Sequence, residues 1–229
     1  MYSLKRTATM LLVAMTMTGG LWAQHRGGMG MNPMAGLPTF GLQNPTAGSG
    51  SEYLVTSKGK DMDMSIINLG KEDVDGQTGY WMEMRMNSQE LGGEMVMKTL
   101  NVSSGSQAGV KRMIMQAPNR PPMEMGDFMM NMMQQHQAPP VTPNGGDKSG
   151  MGELVGTESV TVPAGTYSCQ HYRKTDANGT TDLWISTDVT PYALVKMTGP
   201  QATMTLKKVL SNETSHINGE PQKMQMPKF

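Results

Sequence analysis

The chain has 229 residues, with 19 basic and 19 acidic side chains. That balance, without a basic stripe, argues against a nucleic-acid partner, and 27 Gly and 14 Pro beside 5% aromatics favour turns and short strands over long helices. Cys169 is the single cysteine, so no internal disulfide staples the fold, and the domain must hold by its core alone.

Lys5 and Arg6 precede the apolar run ATMLLVAMTMT at 8–18, too short for a permanent membrane span. Gly19-Gly20 and then Leu21-Trp22-Ala23 suggest cleavage after Ala23. Residues 1–23 therefore read as a signal peptide, and the mature protein is expected to be periplasmic or secreted. No cysteine follows the cleavage site, so a lipid anchor is not expected. Residues 24–50, rich in Gly, Pro, Asn and Ser, show neither strand nor helix periodicity and read as a disordered lead-in.

From Ser51 to Gln116 the chain reads as strands. Tyr53 to Thr56 leads into the turn Lys58-Gly59-Lys60. Met64 and Ile66 alternate with Asp63 and Ser65. Lys71 to Gly79 reads as a polar loop around the hairpin turn Asp75-Gly76. The organising stretch is Gly79 to Asn87. Here Tyr80, Met82, Met84 and Met86 point one way, and Trp81, Glu83, Arg85 and Asn87 point the other, which predicts one greasy face and one wet face. Met95 and Met97, and then Met113 and Met115, repeat the spacing of two. Short polar connections make these neighbours antiparallel, as in a meander.

After Arg120-Pro121-Pro122 the period changes. Met125, Phe128, Met129, Met132, Met133 and His136 fall on one helical stripe, which predicts an amphipathic helix over 123–136, closed by Pro139-Pro140. Strands resume at Gly152. Thr166–Lys174 and Thr181–Ser186 form a hairpin around 176–179, which sets Arg173 opposite Asp182 and His171 opposite Trp184. An ion pair and a ring contact on the outer face follow. Strands at 193–198 and 202–210 complete the domain, and residues 212–229 read as a flexible polar tail.

The expected fold is mainly β: a single curved antiparallel sheet, or unclosed β-barrel, of about ten strands with one helix across its mouth. The expected domain spans 51–211. Its concave face would carry Met64, Tyr80, Met82, Met84, Met86, Met95, Met97, Met113 and Met115, facing Phe128, Met129, Met132 and Met133 of the helix. Methionine is unbranched and polarisable, suited to surfaces that adapt to varied apolar partners. A trough lined by it suits a lipid or acyl group. The plainer account is that Met replaces Leu and Val in a closed core.

Two other readings stand beside this one. Thioethers are soft ligands for Cu(I) or Ag(I), and His25, Met29, Met31 and Met34 are spaced to wrap one such ion. An envelope scaffold that binds proteins and no small ligand is the other. No phosphate loop, nucleophile elbow, zinc spacing or paired-carboxylate motif is present, so no catalytic residue or cofactor is expected. Cys169 reads as a small buried apolar group.

The stretch VGTESVTVPAGTYSCQHYR at 155–173, followed by DLWIS at 182–186 and ALVKM at 193–197, resembles a phrase of exported bacterial proteins similar to the LolA/LolB-like superfamily. The resemblance implies an unclosed, strongly curved antiparallel barrel with helices in its mouth, in a superfamily some of whose members carry lipoproteins or sense the envelope. The phrase consists of turn and core residues and assigns no catalytic role. The methionine load is far heavier than the pattern requires, and Pro191-Tyr192-Ala193 stands where glycine is commoner.

Overall fold

The computed structural model describes residues 46–102, 109–126, 151–177 and 179–223. They form twelve strands: β1 Ser49–Ser57, β2 Lys60–Val74, β3 Gln77–Ser88, β4 Gly93–Val102, β5 Gly109–Gln116, β6 Met123–Glu124, β7 Glu153–Val162, β8 Gly165–Asp176, β9 Gly179–Ile185, β10 Leu194–Thr198, β11 Ala202–Leu210 and β12 Gln222–Lys223. All belong to one sheet in the order β12-β6-β5-β4-β3-β2-β1-β11-β10-β9-β8-β7. Two meanders are thus joined where the first strand meets β11. Only the β12–β6 pair is parallel.

The count is twelve rather than ten. The surplus consists of the two-residue strands β6 and β12, too short to leave a periodic signature. β2 and β3 also run further than expected, because the polar stretch 71–79 is itself paired, with Glu72 opposite Gly79 and Asp73 opposite Thr78. Beside its ladder hydrogen bonds this arm is held by the Trp81 indole, which donates to Glu72 at 2.6 Å, and by the Lys71 ammonium 5.7 Å from the Tyr80 centroid. Its turn is the two-residue type that Asp-Gly favours, with φ of 53° at Asp75 and 76° at Gly76. Among the described residues there is no α-helix. Met123 and Glu124, the first residues of the expected helix, belong to β6; Met123 pairs with Met115 and Glu124 with Ile114. The remainder of that segment from 127 lies outside the described residues, as do the signal segment and most of the lead-in. The end of the lead-in is already structured: β1 begins at Ser49, and the Gly48 amide donates to the Asn68 carbonyl at 2.7 Å.

β1 shows why the sheet has an inner face. Ser51, Tyr53, Val55 and Ser57 are buried, while Glu52, Leu54 and Thr56 between them are only half-buried. Tyr53 is 0% exposed, and its hydroxyl donates to the Leu194 carbonyl at 3.0 Å, so its one polar atom is satisfied. Leu206 and Met204 on β11 stand opposite Tyr53 and Val55 and are equally buried. At the tip of the β7–β8 hairpin the Ala164 amide donates to the Leu206 carbonyl at 3.4 Å. The β7 end of the sheet therefore curls back toward β11, with three strands between the two, without closing the sheet.

The outer face of β3 departs from the expected wet surface. Glu83 and Arg85 are 0% and 6% exposed. The cover is the segment after β11, which crosses the back of the sheet as a strap. Its path is traced by hydrogen bonds: the Glu213 amide to the Gly48 carbonyl at 3.0 Å, the Asn218 amide to Gln116 Oε1 at 2.8 Å, and the Gln222 amide to the Pro122 carbonyl at 2.9 Å. Residues 212–223 are therefore tied down, whereas the sequence suggested a loose tail. Beneath the strap, Arg85 Nε donates to Glu83 at 2.9 Å, Arg85 also donates to Glu213 at 2.8 Å and to the Thr214 carbonyl, and Glu83 accepts from Ser215 Oγ at 2.6 Å and the His216 amide at 3.0 Å. Every charge in this network has a partner, as burial requires.

Candidate functional site

Register turns the spacing of two into cross-strand rows of methionine. Met64 stands opposite Met86, which stands opposite Met95. Ile66 stands opposite Met84, followed in line by Met97, Met115 and Met123 across β4, β5 and β6. Asn68 stands opposite Met82, then Thr99, then Met113. Because side chains alternate along each strand, these residues share the face that carries Tyr53. Tyr80 lies on the same side, but beyond the bulge at Asn68/Gly70 and between Lys71 and Asn101, so it stands apart from the rows. Phe128, Met129, Met132 and Met133, and likewise His25, Met29, Met31 and Met34, lie outside the described residues.

Burial is graded along the rows. Met64 is 0% exposed, and Met82, Met84, Met86 and Met113 are at most 7% exposed. Met95, Met97, Met115 and Met123, nearer the β6 end, are half-buried. The other half of the same face is built differently. There Val55, Met204, Met197, Leu183 and Tyr172 form one row, and Tyr53 faces Leu206. One sheet face thus uses mainly aliphatic and aromatic residues on one side and methionine on the other.

A second constellation lies on the outer face of β7–β10. The Arg173–Asp182 and His171–Trp184 pairs stand in the register expected from the Asp176–Gly179 turn. His171 stacks on Trp184 with centroids 4.5 Å apart. Its two nitrogens face carboxylates, Nε2 at 2.7 Å from Asp182 and Nδ1 at 3.1 Å from Glu158. Arg173 Nε also reaches Asp182 at 2.7 Å, and the Lys196 ammonium lies 5.1 Å from the Trp184 centroid. The sequence reading did not include Glu158: the turn at Pro163-Ala164 sets it opposite Cys169, so it reaches His171 only diagonally across the β7–β8 pair.

Burial works against the charge on Asp182, but hydrogen bonds from Arg173 and His171 outweigh it and hold the carboxyl below its ordinary range. Between that depressed value and the ordinary ~3.9 the unfolded chain binds more protons, so stability rises with pH there. The contribution is complete above about pH 4 and is lost as pH falls through the folded value. Urea unfolding of wild type and Asp182→Asn should differ by no more than ~1 kcal/mol at neutral pH, since part-exposed pairs are screened. The gap should shrink as the solution is acidified below about pH 4.

Cys169 is 0% exposed, and its thiol lies 3.6 Å from the Tyr167 carbonyl. Burial, then the charge of Glu158, pushes the thiol up to about 11. Such a group is a poor nucleophile near neutral pH. Ellman's reagent should leave the folded protein unlabelled over minutes and titrate the thiol once urea is added. Rapid labelling of the folded chain would contradict this placement. Among the described residues no group of three His, Cys, Asp or Glu is arranged to hold a metal ion.

No curated protein matches the chain. Two solved structures are similar over most of their length. One, from Parabacteroides distasonis, is provisionally described as a lipoprotein; it is 12% identical, the match covers 75% of this chain and 97% of that one, and the TM-score is 0.33. The other, from Bacteroides fragilis, is provisionally described as an exported protein with a YmcC-like fold; it is 16% identical, the match covers 74% and 98% of the two chains, and the TM-score is again 0.33. Residues 61–226, from β2 through β12, match the model of the Domain of unknown function (DUF4412), and the chain belongs to that family.

Proposed function

We propose that this protein is an exported, non-catalytic binding protein that takes up an apolar guest, a lipid or acyl group, against the methionine rows of β3 to β6. The observation that carries the reading is the contrast within one sheet face. Tyr, Leu and Val make up most of the half around β1 and β11, with Met197 and Met204 among them, whereas the half around β3 to β6 is lined mainly by flexible thioethers. Flexible side chains cost packing specificity and gain adaptability, which suits a surface for guests of varied shape. The half-buried positions at 95, 97, 115 and 123 give such a guest a place to enter. The signal-like N-terminus supports a location in the periplasm or outside the cell, and the resemblance of 155–197 to the lipoprotein-carrier-like superfamily fits that setting. The raised thiol of Cys169 argues against its serving as a nucleophile.

Native mass spectrometry of the purified protein should show co-purified lipid, or uptake of a fluorescent fatty acid. Met97→Glu/Met115→Glu should abolish the uptake by placing charge on the rows. A clean apo mass with no uptake would overturn the reading.

A further inference from the structure

The geometry points to a second chemistry on the same face: we propose that Met97, Met115 and Met123 form a thioether site for a soft monovalent cation, Cu(I) or Ag(I). The three stand in one row on adjacent strands, Met97 opposite Met115 and Met115 opposite Met123. Facing residues of an antiparallel pair carry Cβ atoms ~4.5–5.5 Å apart. Each methionine sulfur lies two bonds beyond its Cβ and is steered by rotatable bonds, so the outer two can lean toward Met115 and bring three thioethers around one ion with the backbone in place. All three are half-buried, so a small ion reaches them from solvent. Met84, the next residue in the row, is 5% exposed and closes the inner side.

The choice of residue type argues for sulfur over grease. Strand positions favour β-branched and aromatic side chains, and three neighbouring positions of this row depart from that preference with methionine. Thioether sulfur is a neutral, polarisable donor that selects Cu(I) and Ag(I) over hard ions such as Mg²⁺ and Ca²⁺, which need oxygen. Methionine in register on three neighbouring strands supplies three such donors at one place. This site does not rest on the apolar-guest reading: the side chains are shared, but the atom that acts is different.

The full chain is titrated with Cu(I) under ascorbate against bicinchoninate, a chromophoric competitor, and with Ag(I) by native mass spectrometry. Wild type should bind one ion more tightly than about 1 μM. Met97→Leu/Met115→Leu/Met123→Leu keeps the volume and apolar character while removing sulfur, and should weaken binding about tenfold or more. Met29→Leu/Met31→Leu/Met34→Leu should leave the affinity unchanged. Circular dichroism checks that the variants fold, and Met115→Leu alone, which removes the central donor, replaces the triple variant if that one does not. Absence of micromolar binding by wild type, unaltered affinity in the folded sheet variant, or loss in the N-terminal variant instead would each overturn the site. Fatty-acid uptake by the sheet variant is expected to persist, which keeps the fate of the metal site separate from that of the apolar face.

Discussion

Replacing Arg85 by Met should lower the unfolding free energy by about 3–5 kcal/mol, because it leaves a buried carboxylate without its cation. Glu83 is 0% exposed and so cannot recover the loss through water. Its remaining donors, Ser215 Oγ and the His216 amide, are neutral dipoles and do not balance a full charge. The strap should suffer with the pair, since Arg85 also holds Glu213 and the Thr214 carbonyl. Glu83→Leu/Arg85→Met removes both charges together and should be less destabilised than the single variant, because buried pairs offset their own desolvation only in part. A double-mutant cycle by urea unfolding measures the coupling. Near-additive losses would mean that the pair is exposed to solvent and the strap is not seated.

Met64→Ala should cost about 2–5 kcal/mol, the range for truncating a fully buried side chain in a packed core. Met64 is 0% exposed and sits between Tyr53 and Met86. The same truncation at Met97, which is half-buried, should cost clearly less, because part of that side chain already faces water. Met64→Leu should cost under ~1.5 kcal/mol, since volume and polarity are nearly conserved. The gradient divides the rows into a part that holds the fold together and a part free to meet a guest. Equal losses at 64 and 97 would contradict the division and favour a uniformly packed core.

Much of this architecture was legible because its determinants are local. The turn chemistry of Lys58-Gly59 and Asp75-Gly76, each with both residues at positive φ, set the first two hairpins. The Asp176–Gly179 turn fixed the pairing of Arg173 with Asp182 to the residue. Alternation placed methionines 82, 84, 86, 95, 97, 113 and 115 on common faces of their own strands, and register then aligned them. What the sequence hid is non-local. Glu83 and Arg85 look like ordinary outward residues of an alternating strand, and only partners some 130 positions away reveal them as buried. The strap itself is polar and aperiodic because it makes hydrogen bonds over a surface and presents no face to a core. The strand at Met123–Glu124 was hidden for a related reason: two residues carry no period of their own, so the helical spacing from Met125 onward set the bounds of the expected element.

The account depends on the half-buried methionines being the surface that meets the guest. Methionine methyl groups labelled with carbon-13 report this directly, by nuclear magnetic resonance in the presence of a spin-labelled fatty acid. The methyl signals of Met95, Met97, Met115 and Met123 should broaden on titration, while that of Met204, 1% exposed in the β11 half, stays sharp. A titration that leaves all of these signals sharp, or that broadens Met204 as much as Met97, would contradict the central claim.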